Sequence, residues 1–356
     1  MKIRPSGTVF LLLCAMYALN YIARNDVSTA ASVFEKDLHL SNTQVGFVFS
    51  AFAYPYLVFQ VIGGWIGDRF GARLALSAST LIWAAATVLT GLAPSFGLLI
   101  AARLLLGFGE GASLPAATRA MSDWITPDKR ALVQGLTHSS ARLGNALTPI
   151  LISSLMMVSS WRGSFVILGA VSFTWAVVWW FYFRDDPRDH PSITGEELLQ
   201  MPPPWSASQR AQVPWRRLVL RMLPVTGVYF CYGWTLWLYL AWIPLFFLHH
   251  YRLNLKNSAW FSTGVFFAGV IGDTLGGILS DHIYANTGDR NRARRNLIIG
   301  GFLLSLAFMI PLLYVTDLRW RQCASAPHFS SPNSRLARCG PSPWTSPPGF
   351  PAQPAG

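Results

Sequence analysis

The sequence predicts an all-α polytopic membrane protein with a six-helix N-terminal bundle and an incomplete C-terminal bundle of about three helices. Three observations carry that prediction. Of the 356 residues, 52% are hydrophobic and only 12% are charged, far below the charged share of a soluble domain. Nine runs stay apolar for about 20 residues, the length at which a helix crosses a bilayer. With the N-terminus in the cytoplasm, sixteen Lys and Arg fall on that side and four on the other, the asymmetry that orients spanning helices. The net charge of +12 therefore reads as topogenic, not as a nucleic-acid footprint.

The runs lie near residues 8–33, 43–66, 74–93, 97–118, 132–158, 164–183, 219–248, 258–280 and 297–316. The first follows Lys2 and Arg4 like a signal peptide, yet no cleavage site ends it and it continues through Arg24 and Asp26, so it reads as a spanning helix. Residues 1–183 form the six-helix bundle. Residues 184–217, with RDDPRDHP and Pro202–Pro204, read as a cytoplasmic linker, and 218–317 as the partial second bundle. Gly63-Gly64-x-x-x-Asp68 recurs as Gly276-Gly277-x-x-x-Asp281, each copy ending the second run of its half, which implies two parallel repeats. Two six-helix repeats need twelve helices. The remaining 318–356 hold eight prolines and six serines and cannot span. They read as a disordered, frameshifted tail: suitable codons shifted by one nucleotide turn 328–356 into an apolar stretch and a turn. A genuine disordered tail is the alternative.

Ionisable side chains in apolar runs are costly and point to function. Arg24 and Asp26 lie in the first run, and Arg103 and Glu110 in the fourth. Arg103 and Glu110, seven apart, share a helix face but lie about two turns from each other, so each faces a partner elsewhere. Two arginines suit a carboxylate, which a guanidinium binds bidentately. Glu110 suits a proton acceptor, because burial and a nearby cation push its proton affinity in opposite directions. Tyr56 and Gln60, one turn apart, suit a hydroxylated ligand or helix packing. Asn20, Tyr21, Gln134, His138 and Asn145 are further cavity candidates, and Asp273 reads as a packing or gate residue. In the loop Gly67-Asp68-Arg69-Phe70-Gly71-Ala72-Arg73, the glycines permit a tight turn and Asp68 can latch a helix end or a basic residue. Cys14, Cys231, Cys323 and Cys339 show no C-x-x-C spacing, so no metal site, disulfide framework or cofactor is expected.

Gly67 to Arg73 resembles the signature loop of the major facilitator superfamily. LNYIARNDVS (19–28), SAFAYPYLVFQVIGGWIGDRFG (50–71), RLLLGFGEGASLPA (103–116) and THSSARLGNALTP (137–149) resemble its anion:cation symporter family, and WIPLFF (242–247) and GGILSD (276–281) extend the match into the second half. The resemblance implies the major-facilitator fold, a functional role for Arg24, Tyr56, Arg103 and Glu110, and a sugar-acid or other organic-anion substrate. The family's first helix usually reads Asp-Arg-x-Asn. This chain has Ala23, Arg24, Asn25 and Asp26, so the acid is displaced by three residues along the same face.

The expected function is secondary active transport of organic anions such as hexuronates, aldonates or aldarates by proton symport. Arg24, Tyr56, Gln60 and Arg103 bind substrate, Glu110 and Asp26 carry the proton, and Gly67, Asp68, Arg69, Gly71, Arg73 and Asp281 gate. Sodium coupling stays open. The chain is expected to be a monomer in the bacterial inner membrane, in contact with lipid and with no nucleic acid. A truncated, non-transporting product or a membrane sensor on the same fold is the rival reading; with three helices missing, the 356-residue form is expected not to transport. No nucleophile–base set is visible, so no enzyme is expected.

Overall fold

The computed structural model of the chain describes residues 4–126, 129–201, 215–250, 253–287, 296, 299–304 and 307. Its helices are α1 (Pro5–Asp37), α2 (Asn42–Ala51), α3 (Ala53–Phe70), α4 (Ala72–Gly91), α5 (Phe96–Gly111), α6 (Ser113–Trp124), α7 (Arg130–Val158), α8 (Trp161–Tyr182), α9 (Gly195–Gln200), α10 (Trp215–His250) and α11 (Leu255–Thr287). No strand occurs among the described residues. Seven stretches are long and apolar enough to cross a membrane: α1, α2 with α3, α4, α5 with α6, most of α7, α8 and most of α10. They follow the first seven apolar runs in order, and α11 contains the eighth. The ninth is described only at 299–304 and 307, and the tail 318–356 lies outside the described residues.

Local chemistry starts and stops these helices. Pro5 opens α1, where its missing N–H is no loss. Ser41 and Gln44 form a reciprocal capping box at the start of α2. Along α4, Thr80, Thr87 and Thr90 each donate a hydroxyl to the carbonyl one turn back, at 2.7–2.9 Å, so polar side chains enter an apolar helix already satisfied.

Two spans are interrupted, at Phe52 between α2 and α3 and at Ala112 between α5 and α6. Glycine explains how they meet. A Cβ on Gly107 would run into the Phe52 carbonyl oxygen, and one on Gly111 would lie 2.8 Å from Phe59 Cβ and 2.9 Å from the Tyr56 oxygen. Only without those side chains does α5 lie directly on the α3 backbone.

Packing divides α1 into three zones. Val9, Leu13, Met16 and Tyr17 join one apolar core with Leu76, Trp83, Trp124 and Trp179. Val27, Ala30, Ala31 and Phe34 join a second with Val45, Leu99, Trp161 and Phe165. Between them lies a polar zone in which Asn20, Arg24, Asn25 and Asp26 are all buried. Further along the chain, α10 packs on α1, and α11 on α7.

Residues 184–201 are docked against the helices. Glu197 accepts the Ser6 amide at 3.1 Å, Trp124 Nε1 donates to the Arg184 carbonyl at 2.8 Å, and His190 lies 5.4 Å from the Trp124 ring and 4.8 Å from that of Tyr182.

Candidate functional site

The polar zone of α1 faces Arg103 and Glu110 of α5. Arg24 Nε donates to Glu110 Oε2 at 3.0 Å, and its Nη2 lies 3.0 Å from the same oxygen and donates to Asn20 Oδ1 at 3.1 Å. Arg103 Nη2 donates to the Arg24 carbonyl at 3.1 Å, and its Nη1 lies 3.9 Å from Asp26 Oδ1. The order is crosswise, 24 with 110 and 26 with 103, because α1 and α5 run antiparallel here. Arg103 and Glu110 share a face of α5 two turns apart, so both meet α1 without meeting each other. Glu110 is 0% exposed and Arg24 6%, so the two arginines and two acids form a closed cluster.

Aromatic rings hold Arg24 in place. Its Cζ lies 4.6 Å from the Tyr21 ring centroid, 4.5 Å from Tyr56, 5.1 Å from Phe52 and 5.7 Å from Trp237. Such faces favour a cation and cost it less than aliphatic walls. Trp237 belongs to α10, so the cluster lies where α1 and α5 meet α10. Asn25 donates to the Tyr21 carbonyl at 3.0 Å and to Asn145 of α7, tying a third helix to this turn of α1. His138 contacts Gln134 Nε2 at 3.0 Å and meets the Tyr17 ring edge-on.

The structure thus brings together Arg24, Asp26, Tyr56, Arg103 and Glu110. It leaves Gln60 out: the side chain is half-buried, and no contact of it with the cluster occurs among the described residues. Phe52 and Trp237 were not among the sequence candidates. Both sit in apolar runs where an aromatic ring looks the same whether it faces lipid or a guanidinium.

The loop 67–73 forms a separate site. Gly71, at φ +85°, links α3 to α4, and the space of its missing side chain holds the Asp185 carboxylate. Asp185 Oδ1 accepts the Arg73 amide at 3.0 Å, while Arg73 Nε donates to the Trp180 carbonyl at 2.8 Å with its cation 4.5 Å from the Trp180 ring centroid. The acid that meets this turn in the structure is Asp185. Asp68 is exposed near the end of α3 and makes no hydrogen bond or ion pair among the described residues. Arg69 packs beside its neighbours Trp65 and Phe70, and Gly67 is buried against Ala116. Asp281 lies in α11, and its side chain, like that of Asp273, is outside the described residues.

No group of three or more His, Cys, Asp or Glu suited to a metal occurs among the described residues. The arrangement is suited to holding an anion on two guanidinium groups and to exchanging it against the acids that now occupy them.

The family model of the Major Facilitator Superfamily matches residues 13–323. The chain belongs to the major facilitator superfamily. It is an integral membrane protein of a transporter family, and its relatives are transporters, not enzymes. It is 42% identical over 319 residues to a probable sulfoacetate transporter, SauU, of Cupriavidus necator, covering 89% of this chain and 74% of that one. It is 28% identical to a hexuronate transporter of Bacillus subtilis, covering 85% of this chain and 71% of that one. It is 27% identical to a probable L-galactonate transporter of Escherichia coli, covering 86% of this chain and 68% of that one. Among solved structures, a bacterial homolog of the lysosomal transporter Spinster, inward-facing and unoccupied, superposes with a TM-score of 0.72 at 19% identity, covering 95% of this chain and 74% of that one. That likeness speaks for the major-facilitator fold.

Proposed function

We propose, against the expectation drawn from the missing helices, that this chain recognises small organic anions, among them sulfonates and sugar acids, and carries them across the bacterial inner membrane with protons. The observation that supports it most is the closed cluster of two arginines and two acids between α1 and α5, at the face that α10 covers. A buried arginine is a costly feature unless something is bound by it. The names of the relatives point to acids of the class that guanidinium groups hold.

On this reading the anion takes Arg24 from Glu110, and the released carboxylate accepts a proton. Tyr56 offers a hydroxyl beside Arg24, and Gln60 lies one turn further along the path. Two bundles, 1–183 and 218–317, rock about the site while 184–217 connects them at the cytoplasmic end, with the N-terminus on the same side. The gating contact in this state is Arg73 with Asp185. The transporting unit is one copy of the chain.

Uptake of labelled sulfoacetate and glucuronate into proteoliposomes with an inwardly directed proton gradient tests this. Uptake that needs the gradient and is lost with Arg24→Ala is expected. Uptake unaffected by Arg24→Ala overturns the site, and binding without uptake by the intact chain identifies a sensor.

A further inference from the structure

Thr80, Thr87 and Thr90 of α4 turn their hydroxyls back onto the helix, but Ser77 does not. The residue is 4% exposed, and its Oγ has no hydrogen-bond partner among the described residues. Buried hydroxyls normally find a partner. Ser77 lines a groove of about 390 Å³ between α4 and α8. We propose that this groove binds one anionic glycerophospholipid, with an acyl chain between the two helices, the phosphate on Arg73 and an ester carbonyl on the Ser77 hydroxyl. The inference goes beyond anion transport and does not depend on it.

The groove opens to the surroundings of the bundle. Leu74, Leu81, Phe173 and Phe181 line it and are exposed by 42–70%. Both helices are long and apolar enough to span a bilayer, so these side chains meet lipid. An apolar groove by itself selects no lipid, because a chain leaving the bilayer for it gains packing alone. Selection has to come from polar groups at the end of the groove.

Arg73 supplies the first. It lies one turn before Ser77 on α4, about 5.4 Å along the axis. Its Nε donates to the Trp180 carbonyl at 2.8 Å, and its cation lies 4.5 Å from the centroid of the Trp180 ring, which lines the groove from α8. Both Nη groups remain without a hydrogen bond among the described residues. Arg184 stands near Arg73, with Nη1 donating to the carbonyls of Phe181 and Phe183 at 2.9 Å. The acid beside them is Asp185, which accepts the Arg73 amide and lies against Gly71. Arg188 is matched by Asp186 at 3.5 Å, and Asp123 by Arg119 at 3.1 Å. Two guanidinium groups thus meet at the mouth with one carboxylate beside them, and an anionic headgroup fits that excess. Trp180 has the place of an interfacial tryptophan, at headgroup depth. In a glycerophospholipid the ester carbonyls lie just below the phosphate, as Ser77 lies one turn below Arg73. The hydroxyl donates and the carbonyl accepts.

Native mass spectrometry of the purified, delipidated full chain tests this, with phosphatidylglycerol and phosphatidylcholine of the same chains and the diether analogue of phosphatidylglycerol. The wild type is expected to hold one phosphatidylglycerol at least about tenfold tighter than phosphatidylcholine, as charge-assisted hydrogen bonds imply. The diether, which lacks the carbonyls, is expected to bind about threefold more weakly than the ester, the effect of one hydrogen bond, and to match it in Ser77→Ala. Arg73→Gln is expected to bring phosphatidylglycerol down toward the phosphatidylcholine level. Ala78 is an exposed lining residue, so Ala78→Trp fills the groove and is expected to lose the bound lipid. Leu57→Trp, on the exposed face of α3, is expected to keep it. Equal wild-type affinity for the two headgroups, a diether held as tightly as the ester, or full binding in Ala78→Trp overturns the proposal. The three wild-type affinities stand even where a variant does not fold.

Discussion

Arg24 Nε lies 3.0 Å from Glu110 Oε2, 86 residues away in the chain, and the glutamate is fully closed off from solvent. The pair joins α1 to α5 in the polar zone between two apolar cores. Breaking it from one side strands a charge in a low-dielectric site, at a cost of about 3–5 kcal/mol. Glu110→Ala is therefore expected to lower stability by that order, and the double replacement Arg24→Met with Glu110→Leu by clearly less than the two single changes summed. Thermal unfolding in detergent measures the cycle. Additive effects would show that the two side chains are not coupled.

Close approach of α5 to α3 depends on Gly107. An added methyl meets the Phe52 carbonyl, so Gly107→Ala is expected to destabilise by about 1–3 kcal/mol through forced helix displacement. Gly135 of α7 makes the contrast: nothing lies within 4 Å of a Cβ there, and Gly135→Ala is expected to be neutral or to gain about 0.5–1 kcal/mol from lower chain entropy. Melting midpoints of the two variants check the difference. Equal midpoints would remove the packing argument.

The latch between Asp185 and the 71–73 turn makes a local prediction. Gly71→Ala places a methyl on the carboxylate and holds a positive-φ, extended-ψ backbone conformation that costs an L-residue about 1–3 kcal/mol. Amide exchange at Arg73, whose N–H is bonded to Asp185 Oδ1 at 3.0 Å, is expected to speed up in Gly71→Ala and in Asp185→Ala. Asp68→Ala is expected to leave it unchanged. Exchange that responds to Asp68→Ala and not to Asp185→Ala would restore the latch read from sequence.

His190 docks the segment 187–200. Burial between Trp124 and Tyr182 lowers its proton affinity below the usual imidazole range, and the Arg184 cation adds to that, while Glu197 opposes it. The undocked imidazole binds a proton more readily, so docking is strongest above the ordinary imidazole value, near 6.5, and weakens as pH falls below it. Protease cleavage within 187–200 is expected to rise between about pH 7 and pH 5 and to lose that dependence in His190→Phe. A pH-independent cleavage rate in the wild type would contradict this.

Much of the fold is legible in the sequence because lipid demands long apolar runs, and α1, α4, α7, α8 and α10 each follow one. The interruptions at Phe52 and Ala112 are not legible, since hydropathy is continuous through both. Arg24, Arg103 and Glu110 stand out because a charge inside an apolar run is rare. What surrounds them does not stand out. Trp237 lies 213 residues beyond Arg24, in a run already rich in tryptophan, and nothing local marks it as a neighbour of the arginine. Asp185 failed to stand out for the opposite reason: it sits in an acidic, proline-bearing segment that reads as solvated linker, while Asp68 drew attention by its place in the repeat. Which acid takes a backbone N–H depends on where α8 ends relative to α4, and that is settled by packing.

Equilibrium binding of labelled sulfoacetate to the purified chain tests the central claim most directly, with Arg24→Ala, Arg103→Ala and Arg162→Ala side by side. Arg162 pairs with Asp37 at the far end of α1, away from the cluster. Losing one partner of a buried charge contact costs about 2–5 kcal/mol, so Arg24→Ala and Arg103→Ala are expected to weaken binding at least about 30-fold, with Arg162→Ala unchanged. Wild-type affinity in Arg24→Ala would contradict the account, because the anion would then bind somewhere other than between α1 and α5.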